Sequence, residues 1–201
     1  MRAGYEEFGS GRILEDIRRR LSSENFADRS AAVTDMLRYA GSSDVDPHSL
    51  LELMDLALHV HIPFPSRNAL PTIVYDIARR RDANVNVVLD FVERWLSSEE
   101  KHVRETAVYA LVALSGRNEA PMDRLLRNLT TCIGDSHSSV RLGAFEALKE
   151  VAKRGDVNAE EIMPLIERGL ADKSPAVRNT PAVVKKILSQ RLSRRPPDER
   201  R

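Results

Sequence analysis

Two histidines in the first third of the chain, His59 and His61, are the residues that most resemble a metal-binding pair. Transition metals take imidazole ligands, but residues two apart on a helix point in different directions, and no third ligand is evident nearby. A histidine is favoured near a helix C-terminus, where its charged form interacts well with the helix dipole. We therefore interpret both as ordinary helix-end residues and expect no metal site.

Cys132 and Trp95 are the other side chains that could take part in chemistry. Cys132, the single cysteine, follows an apolar stripe, which is more typical of a small buried residue than of a nucleophile. Trp95 continues the apolar stripe of its helix, which favours a core position. The sequence contains no glycine-rich phosphate loop, serine elbow or His-Glu dipeptide. We predict no enzymatic activity and no cofactor.

Composition indicates a globular, helix-rich protein. Of 201 residues, 42% are hydrophobic and 30% charged, and the net charge of +1 gives no overall field that would attract nucleic acid or an anionic membrane. The N-terminus carries acidic residues where an export signal would be apolar, and no apolar stretch is long enough to span a membrane. A single cysteine fits a reducing compartment, so we expect a cytoplasmic location.

An arginine recurs along the chain at intervals of 37 or 38 residues. The nine residues from Val103 to Leu111 match those from Val140 to Leu148 at Val, Arg, both Ala and Leu. This register defines five repeat arginines, to which we assign a structural role: Arg29, Arg67, Arg104, Arg141 and Arg178. Self-similarity at this period is typical of a stacked repeat protein.

Each repeat is predicted to hold two helices, with the arginine near the first turn of the second. The predicted units are residues 11–41, 46–81, 84–116, 120–155 and 158–193, together forming one repeat domain over 11–193. Their first helices are expected at about residues 11–22, 47–60, 85–96, 121–133 and 159–171, where apolar residues recur at helical spacing. Residues 1–10 are a separate N-terminal segment, and residues 194–201 are a basic tail predicted to be disordered.

The segment from Ile162 to Arg178 resembles a HEAT repeat, with Pro164 in the first helix, Asp172 in the turn and Val177-Arg178 opening the second helix. The resemblance implies an all-α fold: a right-handed α-α superhelix, or armadillo-type solenoid, of about five HEAT-like hairpins. In this family the turn aspartates often pair with the repeat arginines. Units one to three carry Ser23, His61 and Ser98 at the aspartate position, so this pairing should be incomplete near the N-terminus.

Some enzymes share HEAT-like folds, but the residues they use are not reproduced here. The metal-dependent hydroxylases depend on His-Glu pairs, which this sequence lacks. The alkylpurine glycosylases hold damaged DNA with aromatic and acidic groove residues, whereas Trp95 belongs to a first helix. An enzyme or enzyme subunit acting on a tetrapyrrole or a damaged base rests on analogy of fold alone.

The favoured interpretation is a non-enzymatic scaffold that presents its repeat surface to a protein partner. Candidate contacts lie off the buried stripe of the second helices: Tyr75, Arg79, Tyr109, Glu146, Lys149 and Lys153. The alternative is a nucleic-acid-binding protein that places basic residues on phosphates: Arg79, Arg80, Arg81, Lys149, Lys153, Lys185 and Lys186. No membrane partner is expected, and the oligomeric state is left open. Lys185 and Lys186 also suggest a polar cap at the end of the array.

Overall fold

A computed structural model describes the backbone of residues 3–194 and the side chains of residues 10–191 and 193. Within these residues the structure is helical and contains no strand. It has ten α-helices: α1 (Ala3–Leu21), α2 (Phe26–Ala40), α3 (Pro47–His59), α4 (Leu70–Arg79), α5 (Val85–Leu96), α6 (Lys101–Ser115), α7 (Met122–Ile133), α8 (Ser138–Lys153), α9 (Ala159–Leu170) and α10 (Pro175–Arg194). None of the described helices is long and apolar enough to cross a membrane.

The contacts divide the chain into two compact units, which meet in sequence between Trp95 and Leu96. In the first unit α1 packs on α2 and α3, and α4 packs on α2 and α3. Its core includes Ile17, Met36, Leu50, Met54 and Ile73. In the second unit α8 packs on α6, α7 and α10, while α9 packs on α7 and α10. Its core includes Val103, Leu111, Phe145, Leu148 and Val177.

Capping side chains mark the starts of α3 and α9. The Asp46 side chain accepts a hydrogen bond from the Ser49 N–H, and Pro47 is the first residue of α3. Asn158 caps α9 by accepting from the Glu160 N–H. Both caps satisfy N–H groups that have no partner within the helix. Four of the five predicted first helices therefore agree with the structure to within one residue at either end.

Two boundaries differ from the prediction. Helix α1 begins at Ala3, eight residues before the predicted start, and so includes most of the residues predicted to form a separate segment over 1–10. In the second hairpin Arg67 lies in a short 3-10 helix (Ser66–Ala69), and α4 starts at Leu70. Pro71 explains this start, because proline lacks an N–H and is tolerated only in the first turn of an α-helix. Apart from Arg194, the predicted disordered tail lies outside the described residues. The right-handed superhelix and the single domain over 11–193 stay predictions.

Candidate functional site

The repeat arginines of the second unit lie at the fourth residue of each second helix and bind the turn that precedes it. Arg141 donates from Nη1 to the carbonyl oxygens of Asp135 (2.9 Å) and Ser136 (3.0 Å). Its Nε and Nη2 donate to the two carboxylate oxygens of Asp172, at 2.7 and 2.9 Å. Arg104 repeats this arrangement with Asp135, at 2.6 and 3.3 Å. Arg104 and Arg141 therefore each join their own turn to the aspartate of the next hairpin.

These ion pairs perturb the aspartates. The hydrogen bond from Arg141 holds the pKa of Asp172 below its ordinary value of 3.8. Burial alone would raise the pKa of Asp135, but hydrogen bonds from Arg104 and from the His137 N–H lower it overall. Both carboxylates are therefore stabilised in their charged form by folding.

The other repeat arginines have different surroundings. Arg29 donates to the carbonyl oxygens of Ser23 and, at 2.7 Å, of His61, so a backbone oxygen takes the place of the aspartate. Arg178 donates from Nη1 to the carbonyls of Asp172 and Lys173. The Arg67 side chain, displaced into the 3-10 helix, forms no hydrogen bond with the described residues. The expected gap in aspartate pairing near the N-terminus is therefore seen at Arg29.

A second series of arginines, also 37 residues apart, went unrecognised in the sequence: Arg80, Arg117, Arg154 and Arg191. Arg154 donates to the carbonyls of Arg117 (2.9 Å) and Ala120 (3.1 Å) in the loop after α6, and it pairs with Asp156. Arg191 donates to the carbonyls of Ala152, in the last turn of α8, and of Val157, in the loop that follows. The repeat spacing alone would have identified this series. Some arginines of the basic runs therefore form hydrogen bonds with the protein's own backbone.

The predicted partner-binding residues fall into small groups. On α4 the Arg79 guanidinium lies 5.4 Å from the centre of the Tyr75 ring. On α8 Lys149 pairs with Glu146, and Lys153 pairs with Glu150 at 2.6 Å. Tyr109, on α6, is 49% exposed. These residues lie on second helices, as the helical pattern requires, and of the two predicted contact tyrosines Tyr109 is exposed while Tyr75 is half-buried.

The candidates for chemistry have structural surroundings. His59 ends α3, and its Nδ1 contacts the Asp55 carbonyl oxygen at 2.7 Å. The His61 ring packs edge-on against Phe26. Cys132 is buried, and burial raises the pKa of its thiol to about 12. Among the described residues, no group of three or more His, Cys, Asp or Glu is placed to hold a metal ion.

One open cavity of about 520 Å³ lies in the first unit, lined by Arg18, Glu52, Asp55, Leu56, His59, Phe91 and Arg94. Trp95, which is buried as predicted, donates from its indole N–H to Asp55 at 2.6 Å. Arg94 also contacts Asp55, and Arg18 pairs with Glu52 at 3.3 Å. The charges around this cavity are therefore compensated by one another.

Comparisons with known proteins show the fold. No protein-family profile matches the sequence, and no curated protein matches it significantly. A designed armadillo repeat protein in complex with the peptide (KR)4 aligns with a TM-score of 0.52 and 16% identity, over 89% of this chain and 87% of that chain. An engineered protein from a structural-genomics consortium aligns with a TM-score of 0.50 and 16% identity, over 88% and 79%. The chain has the all-helical fold of HEAT and armadillo-type repeat proteins.

Proposed function

We propose that this protein is a non-enzymatic scaffold that binds a protein partner through its second helices. The observation that carries the proposal is the exposure of Tyr109 on α6, where nearly half of a large aromatic side chain faces solvent. Tyrosine combines a wide apolar ring with a polar tip and is enriched among residues that anchor interfaces. An exposed tyrosine on a rigid helix is therefore a suitable anchor.

Features of two other second helices support the proposal. Tyr75 and Arg79 form a cation-π pair on α4, and both residue types are common at interface hot spots. Glu146 and Lys149 already pair on α8, so a partner would meet them in a fixed geometry. Lys153 completes the proposed set. The fold is also one that presents extended surfaces, and a designed protein of this fold holds a peptide.

The proposed location is the cytoplasm. The chain's one cysteine is buried and free. A lone buried thiol needs no oxidising compartment, which is where structural disulfides are common.

Nucleic-acid binding is the alternative, and the structure weakens it at three of its residues. Arg80 is buried and pairs with Asp82 at 2.6 Å. Lys149 and Lys153 pair with glutamates of their own helix. Phosphate contacts need available cations, because the affinity comes from neutralising phosphates. This alternative now depends on Arg79, Arg81, Lys185 and Lys186.

The test is affinity capture from a lysate of the source organism, with and without nuclease and over a salt series. We expect discrete proteins that persist through nuclease treatment and are lost with Tyr109→Ala. Phe64→Ala is the matched control, because Phe64 is an aromatic residue exposed by 80% in a loop outside the second helices. Loss of all bound material on nuclease treatment would support the alternative. Equal capture by Tyr109→Ala and the wild-type protein would contradict the assigned surface.

A further inference from the structure

Helix α10 exposes about half of its circumference and contains no acidic residue. One stripe of this face follows the spacing i, i+4, i+7 and i+11 and holds Arg178, Ala182, Lys185 and Ser189, all exposed. We call this stripe the open edge of α10. The equivalent residues of α8, which lie 37 positions earlier, are all buried: Arg141, Phe145, Leu148 and Ala152. The open edge therefore occupies the position that the last hairpin covers on α8.

Arg178 is held on this edge with its carboxylate-binding atoms available. Its Nη1 donates to the carbonyl oxygens of Asp172 (2.8 Å) and Lys173 (3.3 Å), as the Nη1 of Arg104 and Arg141 does in their turns. In those two arginines Nε and Nη2 donate hydrogen bonds to an aspartate. Within the described residues, Nε and Nη2 of Arg178 have no hydrogen-bond partner. The backbone thus orients a guanidinium fork whose two free donors match a carboxylate.

The rest of the open edge suits the same ligand. Lys185 is exposed, lies on the same stripe about 10 Å along the helix, and has no ion-pair partner among the described residues. Lys186 beside it is likewise exposed and unpaired in the described part of the chain. Ala182, between Arg178 and Lys185, is small and leaves room for a backbone to approach. A segment with two acidic residues about 10 Å apart would complement the charges along this stripe.

We propose that the open edge of α10 docks an acidic protein segment, with one Asp or Glu carboxylate held by the Arg178 fork and a second by Lys185 and Lys186. The planar fork can bind either a carboxylate or a phosphate with two hydrogen bonds. We favour a carboxylate because two equivalent arginines of this chain, Arg104 and Arg141, hold aspartates in this geometry. Three cations would also neutralise only a few phosphates, so they would contribute little affinity for a nucleic acid. This site is independent of the Tyr109 surface and does not require it.

The test measures binding of a fluorescein-labelled peptide of alternating Asp and Glu to the full chain by fluorescence anisotropy at low salt. A peptide of alternating Asn and Gln is the neutral probe, and a short DNA duplex is the nucleic-acid probe. The variants are Arg178→Lys, Lys185→Gln with Lys186→Gln, and the control Lys101→Gln with Arg127→Gln. The control removes the same charge from two cations that are paired with acidic residues and lie outside the proposed partner contacts.

We expect the acidic peptide to bind and the neutral one not to bind. Arg178→Lys and the Lys185/Lys186 variant should each weaken binding about tenfold, which corresponds to about 1.4 kcal/mol. The control should change it less than the Lys185/Lys186 variant. Arg178→Lys keeps the charge but loses the fork, so wild-type affinity in this variant would overturn the proposal.

Three other results would also overturn it: no binding of the acidic peptide, an equal loss in the control, or tighter binding of the DNA duplex through the same residues. The Lys185/Lys186 variant removes no side-chain hydrogen bond or ion pair with the described residues, so it keeps the test valid if Arg178→Lys lowers stability. Thermal melts of each variant report on folding.

Discussion

Asp172→Ala tests most directly the structural role of the repeat arginines, of which Arg141 is one. The substitution removes two charge-assisted hydrogen bonds from Arg141, whose side chain is only 6% exposed, while Asp172 is 10% exposed. Nε and Nη2 of Arg141 would be left charged, buried and without a partner. Breaking a buried ion pair by removing one member costs about 3–5 kcal/mol. For a chain of this size, about 2–4 °C per kcal/mol converts this loss to a Tm lower by about 6–20 °C.

The measurement is a thermal melt followed by circular dichroism, with Asp123→Ala as the control. Asp123 pairs with Arg127 on α7 but is 74% exposed, so its loss should cost about 1 kcal/mol or less. A cycle with Arg141→Ala should show a coupling of about 0.5–3 kcal/mol between Arg141 and Asp172. A Tm decrease no larger than that of Asp123→Ala, or additive effects in the cycle, would refute this account of the arginine series.

Three further predictions concern packing, acid sensitivity and thiol reactivity. A Cβ on Gly169 would lie 2.3 Å from the Phe145 ring and 2.5 Å from Pro181, both rigid groups, so Gly169→Ala should cost about 1–3 kcal/mol in urea unfolding. Gly116→Ala, with nothing within 4 Å, should cost less, and equal effects would contradict the packing. The lowered pKa values of Asp135 and Asp172 mean that the unfolded chain binds protons first on acidification, so their contribution to stability is present above about pH 4 and lost below it. Melts from neutral pH downward should show this loss, and Asp172→Asn should show a shallower one; parallel profiles would disagree with the assignment. The Cys132 thiol, buried and with a pKa of about 12, should react with a thiol reagent only after unfolding, and rapid labelling of the folded protein would disprove its burial.

The repeat arginines illustrate what could be predicted from the sequence. Their spacing fixes the register of the hairpins, and apolar residues at helical spacing then locate the first helices. The start of α4 could not be placed in this way, because the repeat register puts Arg67 inside a helix while the chemistry of Pro71 delays that helix. The local covalent constraint overrides the periodic pattern at that position.

The second arginine series was missed for a different physical reason. Arg80, Arg154 and Arg191 belong to or adjoin runs of charge, and charge runs are usually solvated faces. The guanidinium groups of Arg154 and Arg191 are instead turned onto backbone carbonyls, and that of Arg80 pairs with Asp82, which a composition argument does not reveal. The consequence for function is direct, because cations bound by the protein's own backbone are not available to phosphates.

Arg141 and Arg178 lie at the same repeat position, yet the sequence around each arginine does not reveal whether a carboxylate binds its guanidinium. The turn carbonyls that hold Nη1 come from the residues just before the helix, so that half of the contact is local and predictable. The carboxylate that fills Nε and Nη2 comes from the following hairpin, about 31 residues later for Arg141. A repeat position therefore specifies the orientation of the guanidinium, while the next packed element specifies its ligand. At Arg178 the turn carbonyls orient the guanidinium, but no carboxylate among the described residues binds Nε and Nη2. A carboxylate supplied by a partner would therefore complete a contact whose geometry the fold already provides.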